Sequence, residues 1–158
     1  MSSAIAVFNG PKIKGDVTFI EGKVWTTVTL NLSGLKKNSK HGFHVHECGD
    51  VSKGCESMCA HFNPFNKKHG GPKSSERHVG DLGNIKTDEN GRAMYYFRDD
   101  MIKLHGKANI IGRGLIIHAD PDDLGTGNHE LSLTTGNSGK RIACSVIGIK
   151  SASFFLKK

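Results

Sequence analysis

Residues 44–50 read HVHECGD, and this stretch indicates both a fold and a chemistry. His44 and His46 are two positions apart and alternate with the apolar residues Phe43 and Val45. In a β-strand, residues two apart point to the same face. The stretch therefore predicts a strand with one apolar face and two imidazole groups on the other.

Further metal-binding residue types follow this strand, in a segment rich in glycine, proline, asparagine and lysine. They are His61, His69, His78 and Asp81. A neutral imidazole binds divalent metals near pH 7, and three imidazoles with one carboxylate can make a closed tetrahedral zinc site. A single histidine is more often a surface or core residue than a ligand, but this combination favours a metal site.

The composition favours one all-β domain. The chain has 158 residues, 20 of them glycine, which suits short strands joined by turns. Alternating apolar patterns and turn signals predict about eight strands, at residues 4–8, 14–21, 24–32, 41–47, 82–87, 93–98, 115–118 and 141–149. Long loops are expected at 48–81 and 119–140, and a loop of such length in a compact domain is usually functional or disordered. The pattern predicts a β-sandwich or flattened barrel with Greek-key connections.

Net charge and hydropathy limit the kinds of binding partner that the chain could have. The formal net charge is +7, which favours an anion, either a small substrate or a nucleic acid. The lysines are scattered and no nucleic-acid-binding motif accompanies them, so no nucleic-acid partner is expected. No apolar run approaches eighteen residues and no secretory signal is evident, so we expect no membrane association and a cytoplasmic location.

The four cysteines lack the paired C-x-x-C repeats of a zinc ribbon. Cys48, Cys55 and Cys59 are close in sequence, and Cys144 stands near the end of the chain. Cytosolic thiols are usually reduced. Whether Cys48 and Cys59 pair is left open by the sequence.

Several segments in a fixed order resemble the intracellular copper/zinc superoxide dismutases. They are His44-Val45-His46, the loop from His61 to Asp81, Gly112-Arg113 with His118, Asp123-Leu124-Gly125, and Gly136-Asn137-Ser138-Gly139-Lys140-Arg141 with Cys144. The resemblance runs from about Ala4 to Ser151. It implies an eight-stranded flattened Greek-key β-barrel, an Ig-like sandwich with two long functional loops. It also implies a single domain over residues 1–158, in which residues 152–158 are a C-terminal extension.

The resemblance implies two metal ions per subunit, one copper cation and one Zn²⁺. The copper ligands would be His44, His46, His61 and His118, and the zinc ligands His61, His69, His78 and Asp81. His61 would bridge the two metals. Asp122 would accept hydrogen bonds from His44 and His69, and Arg141 would hold an anion beside the copper. Without the resemblance, Asp122 would be interpreted as a loop residue and Arg141 as a surface residue.

The implied activity is antioxidant: dismutation of superoxide anion to dioxygen and hydrogen peroxide by cyclic reduction and oxidation of the copper. His61 would take up a proton in the cycle, and zinc would be structural. A Cys55–Cys144 disulfide is implied, together with a homodimer that pairs near Gly49 and Ile149. A copper chaperone should not be required, because Lys140 and Ile142 stand where chaperone-dependent members tend to carry prolines.

Two other functions compete with the enzyme. One is a metal-delivery protein with a dismutase-like domain, although such proteins usually lack part of the copper site. The other is a non-enzymatic, metal-stabilised module whose basic surface holds nucleic acid. The complete set of ligand positions favours the enzyme over both.

Overall fold

The computed structural model describes residues 2–152, which form ten β-strands and two short 3₁₀-helices. The strands are β1 (Ser3–Asn9), β2 (Lys14–Glu21), β3 (Thr26–Ser33), β4 (Lys40–His46), β5 (Ser52–Cys55), β6 (Asp81–Lys86), β7 (Ala93–Asp99), β8 (Gly114–His118), β9 (Arg141–Val146) and β10 (Gly148–Ile149). The 3₁₀-helices are Glu56–Met58 and Gly106–Ala108. The extension predicted at 152–158 lies, apart from Ala152, outside the described residues.

The strands form two antiparallel sheets, which confirms the all-β prediction. One sheet has the order β10-β1-β2-β3-β7 and the other the order β6-β4-β8-β9. The eight predicted strands are all present. The count rises to ten because the predicted strand 141–149 is interrupted at Ile147, and because the first long loop contains the short strand β5, which belongs to neither sheet.

The hydrophobic core lies between the two sheets. Strand β3 shows the alternation that its sequence predicts, since Val28, Leu30 and Leu32 are buried and the intervening residues are more exposed. Val24, which the sequence assigned to the same strand, precedes it and is exposed. Half-buried strands of this kind pack one apolar face against the other sheet.

Strand β4 is buried on both faces, and this feature positions the functional site. Phe43 and Val45 belong to the hydrophobic core, while His44 and His46, on the opposite face, are also buried. The two long loops lie over that second face. In a half-buried strand, the positions of His44 and His46 would face solvent. Here the loops cover them, so both histidines are buried.

A β-bulge in β4 places the first ligands side by side. The pairing of β4 with β6 shifts register between Gly42 and His44, so that His44 stands opposite Asp81. On its other edge, β4 pairs with β8, where His44 stands opposite Ile116. Bulges re-aim side chains at functional sites, and this one aligns the start of β6 with the histidine face of β4.

The helices of the described residues include none that is long and apolar enough to cross a membrane.

Candidate metal centre

Four buried histidines meet on the outer face of β4 and β8. His44 and His46 come from β4, His118 ends β8, and His61 reaches them from the first long loop through a backbone bridge to His46. One ring nitrogen from each of the four lies within 4.8 Å of the others. The structure thus brings together the set that the resemblance implied for copper.

Hydrogen bonds fix which nitrogen of each ring faces this cluster. His44 donates from Nε2 to Asp122 at 2.7 Å, His46 from Nδ1 to the Cys59 carbonyl at 2.9 Å, and His118 from Nδ1 to the Gly139 carbonyl at 3.2 Å. The remaining nitrogens are buried and have no hydrogen-bond partner: His44 Nδ1, His46 Nε2, His118 Nε2 and His61 Nε2. A buried nitrogen without a partner is costly, and a cation held between the four would satisfy all of them.

A second cluster forms around Asp81 on the other side of His61. Asp81 Oδ1 lies 2.9 Å from His61 Nδ1, 2.9 Å from His69 Nδ1 and 3.1 Å from His78 Nδ1. The Nδ1 atoms of His61 and His78 are 3.2 Å apart. These four atoms can converge on one ion, which corresponds to the set predicted for zinc.

The donor atoms of each cluster fit a different metal. Four imidazole nitrogens suit copper, whereas three imidazoles with a carboxylate suit a tetrahedral zinc. His61 presents Nε2 to the first cluster and Nδ1 to the second. Its ring therefore lies between the two candidate sites.

Burial keeps the first cluster neutral. It lowers the pKa values of His44, His46 and His61, helped at His44 and His46 by the neighbouring His61, and it lowers the pKa of His118 to about 4. Neutral imidazole is the form that binds metal, so these rings need no deprotonation at physiological pH.

Two carboxylates, Asp81 in the second cluster and the neighbouring Asp122, shift the pKa values there. Burial alone would lower the pKa of His69, but contacts with Asp122 and Asp81 raise it to about 9. Burial would raise the pKa of Asp81, yet hydrogen bonds with three histidines hold it well below its usual range. In the metal-free protein the Asp81 carboxylate is therefore paired with a protonated His69.

Asp122 connects the two clusters from behind. Its carboxylate accepts from His44 Nε2 at 2.7 Å and from His69 Nε2 at 2.8 Å. Asn84 holds the Asp122 backbone through reciprocal bonds of 2.7 and 2.9 Å. Gly136 has a φ of +72°, and a Cβ at this position would collide with the Asp122 carboxylate. A glycine is required there because the second loop must pass directly over this carboxylate.

A cavity of about 720 Å³ opens next to the first cluster. Its lining includes His46, His61, His118, Thr134 and Arg141. The Arg141 guanidinium is held by the carbonyls of Cys55 at 2.8 Å and Cys59 at 2.6 Å. A fixed guanidinium beside neutral rings is a suitable site for a small anion.

The sequence did not predict the buried ion pair between Arg77 and Asp99. Arg77 forms a buried ion pair with Asp99 at 2.7 Å, and it donates to the carbonyls of His78 and Val79. This pair fixes the end of the first long loop against β7. The position of Arg77 directly before the candidate ligand His78 could have drawn attention to it. Its partner Asp99 could not be identified, because it lies 22 residues further along the chain.

Two disulfides restrain the first long loop. Cys55 is joined to Cys144 in β9, the pair implied by the resemblance. Cys48 is joined to Cys59, the pair that the sequence left open.

Comparison with known proteins agrees with the geometry. The family model for copper/zinc superoxide dismutase matches residues 13–147. A protein of Paramecium bursaria Chlorella virus 1 named superoxide dismutase [Cu-Zn] is 60% identical over 152 residues, which cover 96% of this chain and 81% of that protein. A Yarrowia lipolytica protein of the same name is 52% identical over 154 residues, 94% of this chain and 99% of its own.

The fold has a solved counterpart. The crystal structure of the clock protein EA4 superposes with a TM-score of 0.92 at 46% identity, covering 94% of this chain and 95% of the other. The strand order, the histidine clusters and these similarities agree. The chain therefore belongs to the copper/zinc superoxide dismutase family.

Proposed function

We propose that the two histidine clusters carry the family's reaction, with copper held by His44, His46, His61 and His118 and zinc by His61, His69, His78 and Asp81. The reaction is the dismutation of superoxide to dioxygen and hydrogen peroxide, and the cofactors are copper and zinc. The observation that carries the residue assignment is the convergence of four buried, unpaired imidazole nitrogens beside a cavity that Arg141 also lines.

The protein's own residues prepare the site for an anion and a proton. When bound, copper supplies one-electron chemistry by alternating between two oxidation states, and zinc supplies a fixed charge without redox chemistry. Arg141 attracts superoxide into the cavity and orients it by charge-assisted hydrogen bonds. When copper does not engage His61 Nε2, that nitrogen can hold a proton next to the anion and supply it as hydrogen peroxide forms, the second proton coming from solvent, while Asp81 keeps the ring in place.

Replacing Arg141 with alanine should lower kcat/KM for superoxide at least about tenfold, since local charge raises association rates by roughly 10–10³. Arg141→Lys keeps the charge but loses the two-pronged geometry, so its kcat/KM should lie between those of the wild type and Arg141→Ala. Pulse radiolysis of the copper- and zinc-loaded proteins at several salt concentrations measures both the rate and its dependence on ionic strength.

Arg98→Ala is the matched control, because it removes the same charge from an exposed residue of β7 in the other sheet. At physiological salt, charges beyond about 8 Å are screened, so this variant should keep the wild-type rate. If Arg141→Ala and Arg98→Ala lose kcat/KM equally, net charge explains the effect and the proposed role of Arg141 in the site is wrong.

We also propose a homodimer that assembles without a copper chaperone. Exposed apolar side chains near the predicted contact support the dimer: Ile149 is 78% exposed and Val51 54%. The chain is proposed to be one domain over residues 1–158 with a C-terminal extension, supported by the single core between the sheets. A cytoplasmic location is proposed as well, supported by the resemblance to intracellular members.

Expression in a chaperone-deficient host should yield a dimer that contains copper and an oxidised Cys55–Cys144 bridge. The expected reason is that Lys140, just before β9, and Ile142, within it, occupy the positions at which chaperone-dependent members tend to carry prolines. Metal analysis, non-reducing peptide mapping and sedimentation measure the three properties, with a chaperone-containing host as the control. Reduced, inactive protein from the deficient host alone would contradict the proposal.

A further inference from the structure

The disulfide between Cys48 and Cys59 has no part in the reaction described above, yet it ends at a residue that touches the active site. We propose that this bridge is a positioning element: it holds the backbone of Cys59 so that its carbonyl group orients both His46 and Arg141. The inference rests on the roles assigned to those two residues under the proposed function.

The Cys59 carbonyl is an acceptor shared by two functional side chains. It receives a hydrogen bond from His46 Nδ1 at 2.9 Å and another from Arg141 Nη2 at 2.6 Å. The first bond leaves His46 Nε2 directed to the copper cluster. The second fixes one edge of the guanidinium, whose other edge donates to the Cys55 carbonyl at 2.8 Å. A rotation of this single peptide group would therefore disturb a metal ligand and the anion site together.

Cys59 adopts a backbone conformation that side-chain-bearing residues avoid. Its φ is 66° and its ψ is −154°, a region occupied almost only by glycine. Such a conformation persists only when the surroundings hold it. The Cys59 side chain is exposed, so core packing does not hold it. Its covalent bond to Cys48 does.

Backbone pairing holds the neighbours of Cys59 but leaves its own carbonyl free for the site. Cys48 donates to the Met58 carbonyl at 3.1 Å, and Glu47 donates to the Ala60 carbonyl at 2.9 Å. The carbonyls on either side of Cys59 thus face the end of β4. The disulfide fastens the intervening residue to the same end of β4, with the Cys59 carbonyl directed toward His46.

A role in stability alone explains the bridge less well. The two cysteines are 11 positions apart, whereas Cys55 and Cys144 are 89 apart. In the chain-entropy model, a short loop gives a smaller stabilisation than a long one. The short bridge lies instead where local geometry matters most.

Two double variants separate positioning from stabilisation. Cys48→Ala/Cys59→Ala removes the bridge and leaves a Cβ in the disfavoured conformation. Cys48→Ala/Cys59→Gly also removes the bridge, but glycine adopts a positive φ at no steric cost. Both variants keep the Cys55–Cys144 bond. Stabilisation by cross-linking is lost in both, and the glycine variant should melt at or above the alanine variant, because relief of the steric cost at a positive φ outweighs the greater flexibility of its unfolded chain.

Two readouts follow the carbonyl directly. Optical titration of the copper- and zinc-loaded proteins with azide measures anion affinity beside Arg141. In the alanine variant we expect affinity to fall about tenfold or more, the scale of one lost hydrogen bond to a charged group. In the glycine variant we expect affinity within about twofold of wild type, well under one such bond. In the metal-free proteins, the His46 Nδ1–H resonance in ¹⁵N NMR should be present in the wild type and the glycine variant, and lost in the alanine variant.

The pattern of rescue decides the proposal. Wild-type azide affinity and a retained His46 signal in both variants would overturn it, leaving a bridge that only stabilises. Equal losses in both variants would also overturn it, since glycine should restore the carbonyl. If the alanine variant does not fold, a glycine variant with weakened affinity and no His46 signal is sufficient to refute it. Failure of the wild type to bind azide or turn over superoxide would instead refute the proposed function, while the metal-free NMR comparison would still test the bridge.

Discussion

Replacing His118 with alanine is expected to reduce superoxide turnover by more than about 100-fold, because loss of even an outer partner of a metal ligand costs roughly 10–100-fold. His118 ends β8 and contributes one of the four unpaired nitrogens of the first cluster. Its removal leaves three imidazoles and a wider opening to the cavity. Turnover should be measured together with copper content, so that loss of the metal and loss of chemistry can be separated.

His105→Ala is the control for this variant. The His105 side chain is 79% exposed and contacts Glu21, away from both clusters. Its removal should leave copper content and turnover unchanged. If His118→Ala retains one copper per chain and full turnover, the assignment of His118 to the copper site is wrong.

Replacing Asp81 with asparagine is expected to abolish the stabilisation that zinc provides. Zinc at about 1,000 times its Kd would contribute ~4 kcal/mol, and a chain of this size shifts by roughly 2–4 °C per kcal/mol. The zinc-dependent rise in Tm should therefore be on the order of 10 °C in the wild type and near zero in the variant. Asparagine retains an oxygen that can accept from the backbone of Gly70 and His78, so folding itself should survive.

The measurement is differential scanning calorimetry with and without zinc, so that each protein is its own reference. Asp100→Asn, at an exposed position next to β7, is the matched control and should keep the full zinc-dependent rise. If Asp81→Asn binds zinc and shows the same zinc-dependent rise in Tm as the wild type, Asp81 is not a zinc ligand.

Strands β1 to β3 were predictable because buried and more exposed residues alternate along them. Strand β2 begins and ends where the pattern predicts, at Lys14 and Glu21. The sequence could not show the short strand β5, since Ser52–Cys55 has no apolar alternation and depends on tertiary contacts. The break at Ile147 was also hidden, because Ile147 bonds to Gly112 and Arg113 across the fold rather than along the strand.

The candidate site was predictable as far as side chains with a metal-binding chemistry go. Residue type and spacing indicated the zinc set and the histidine pair of β4, whereas His118 was implied by the resemblance, and the structure brings all of these residues together in two buried clusters. Backbone groups have no signature in residue type and spacing. The carbonyls of Cys59, Cys55 and Gly139 orient His46, Arg141 and His118, and any residue can supply a carbonyl. The reciprocal pair between Asn84 and Asp122 joins positions 38 residues apart and was equally invisible.

The most direct test of the account is anomalous X-ray diffraction from crystals of the oxidised, metal-loaded protein, collected at the copper and zinc edges. We expect one copper peak bonded to His44 Nδ1, His46 Nε2, His61 Nε2 and His118 Nε2. We expect one zinc peak bonded to Nδ1 of His61, His69 and His78 and to Asp81, so that the His61 ring contacts both ions. A single metal peak per chain, or a His61 ring bound to neither or only one of two ions, would contradict the account.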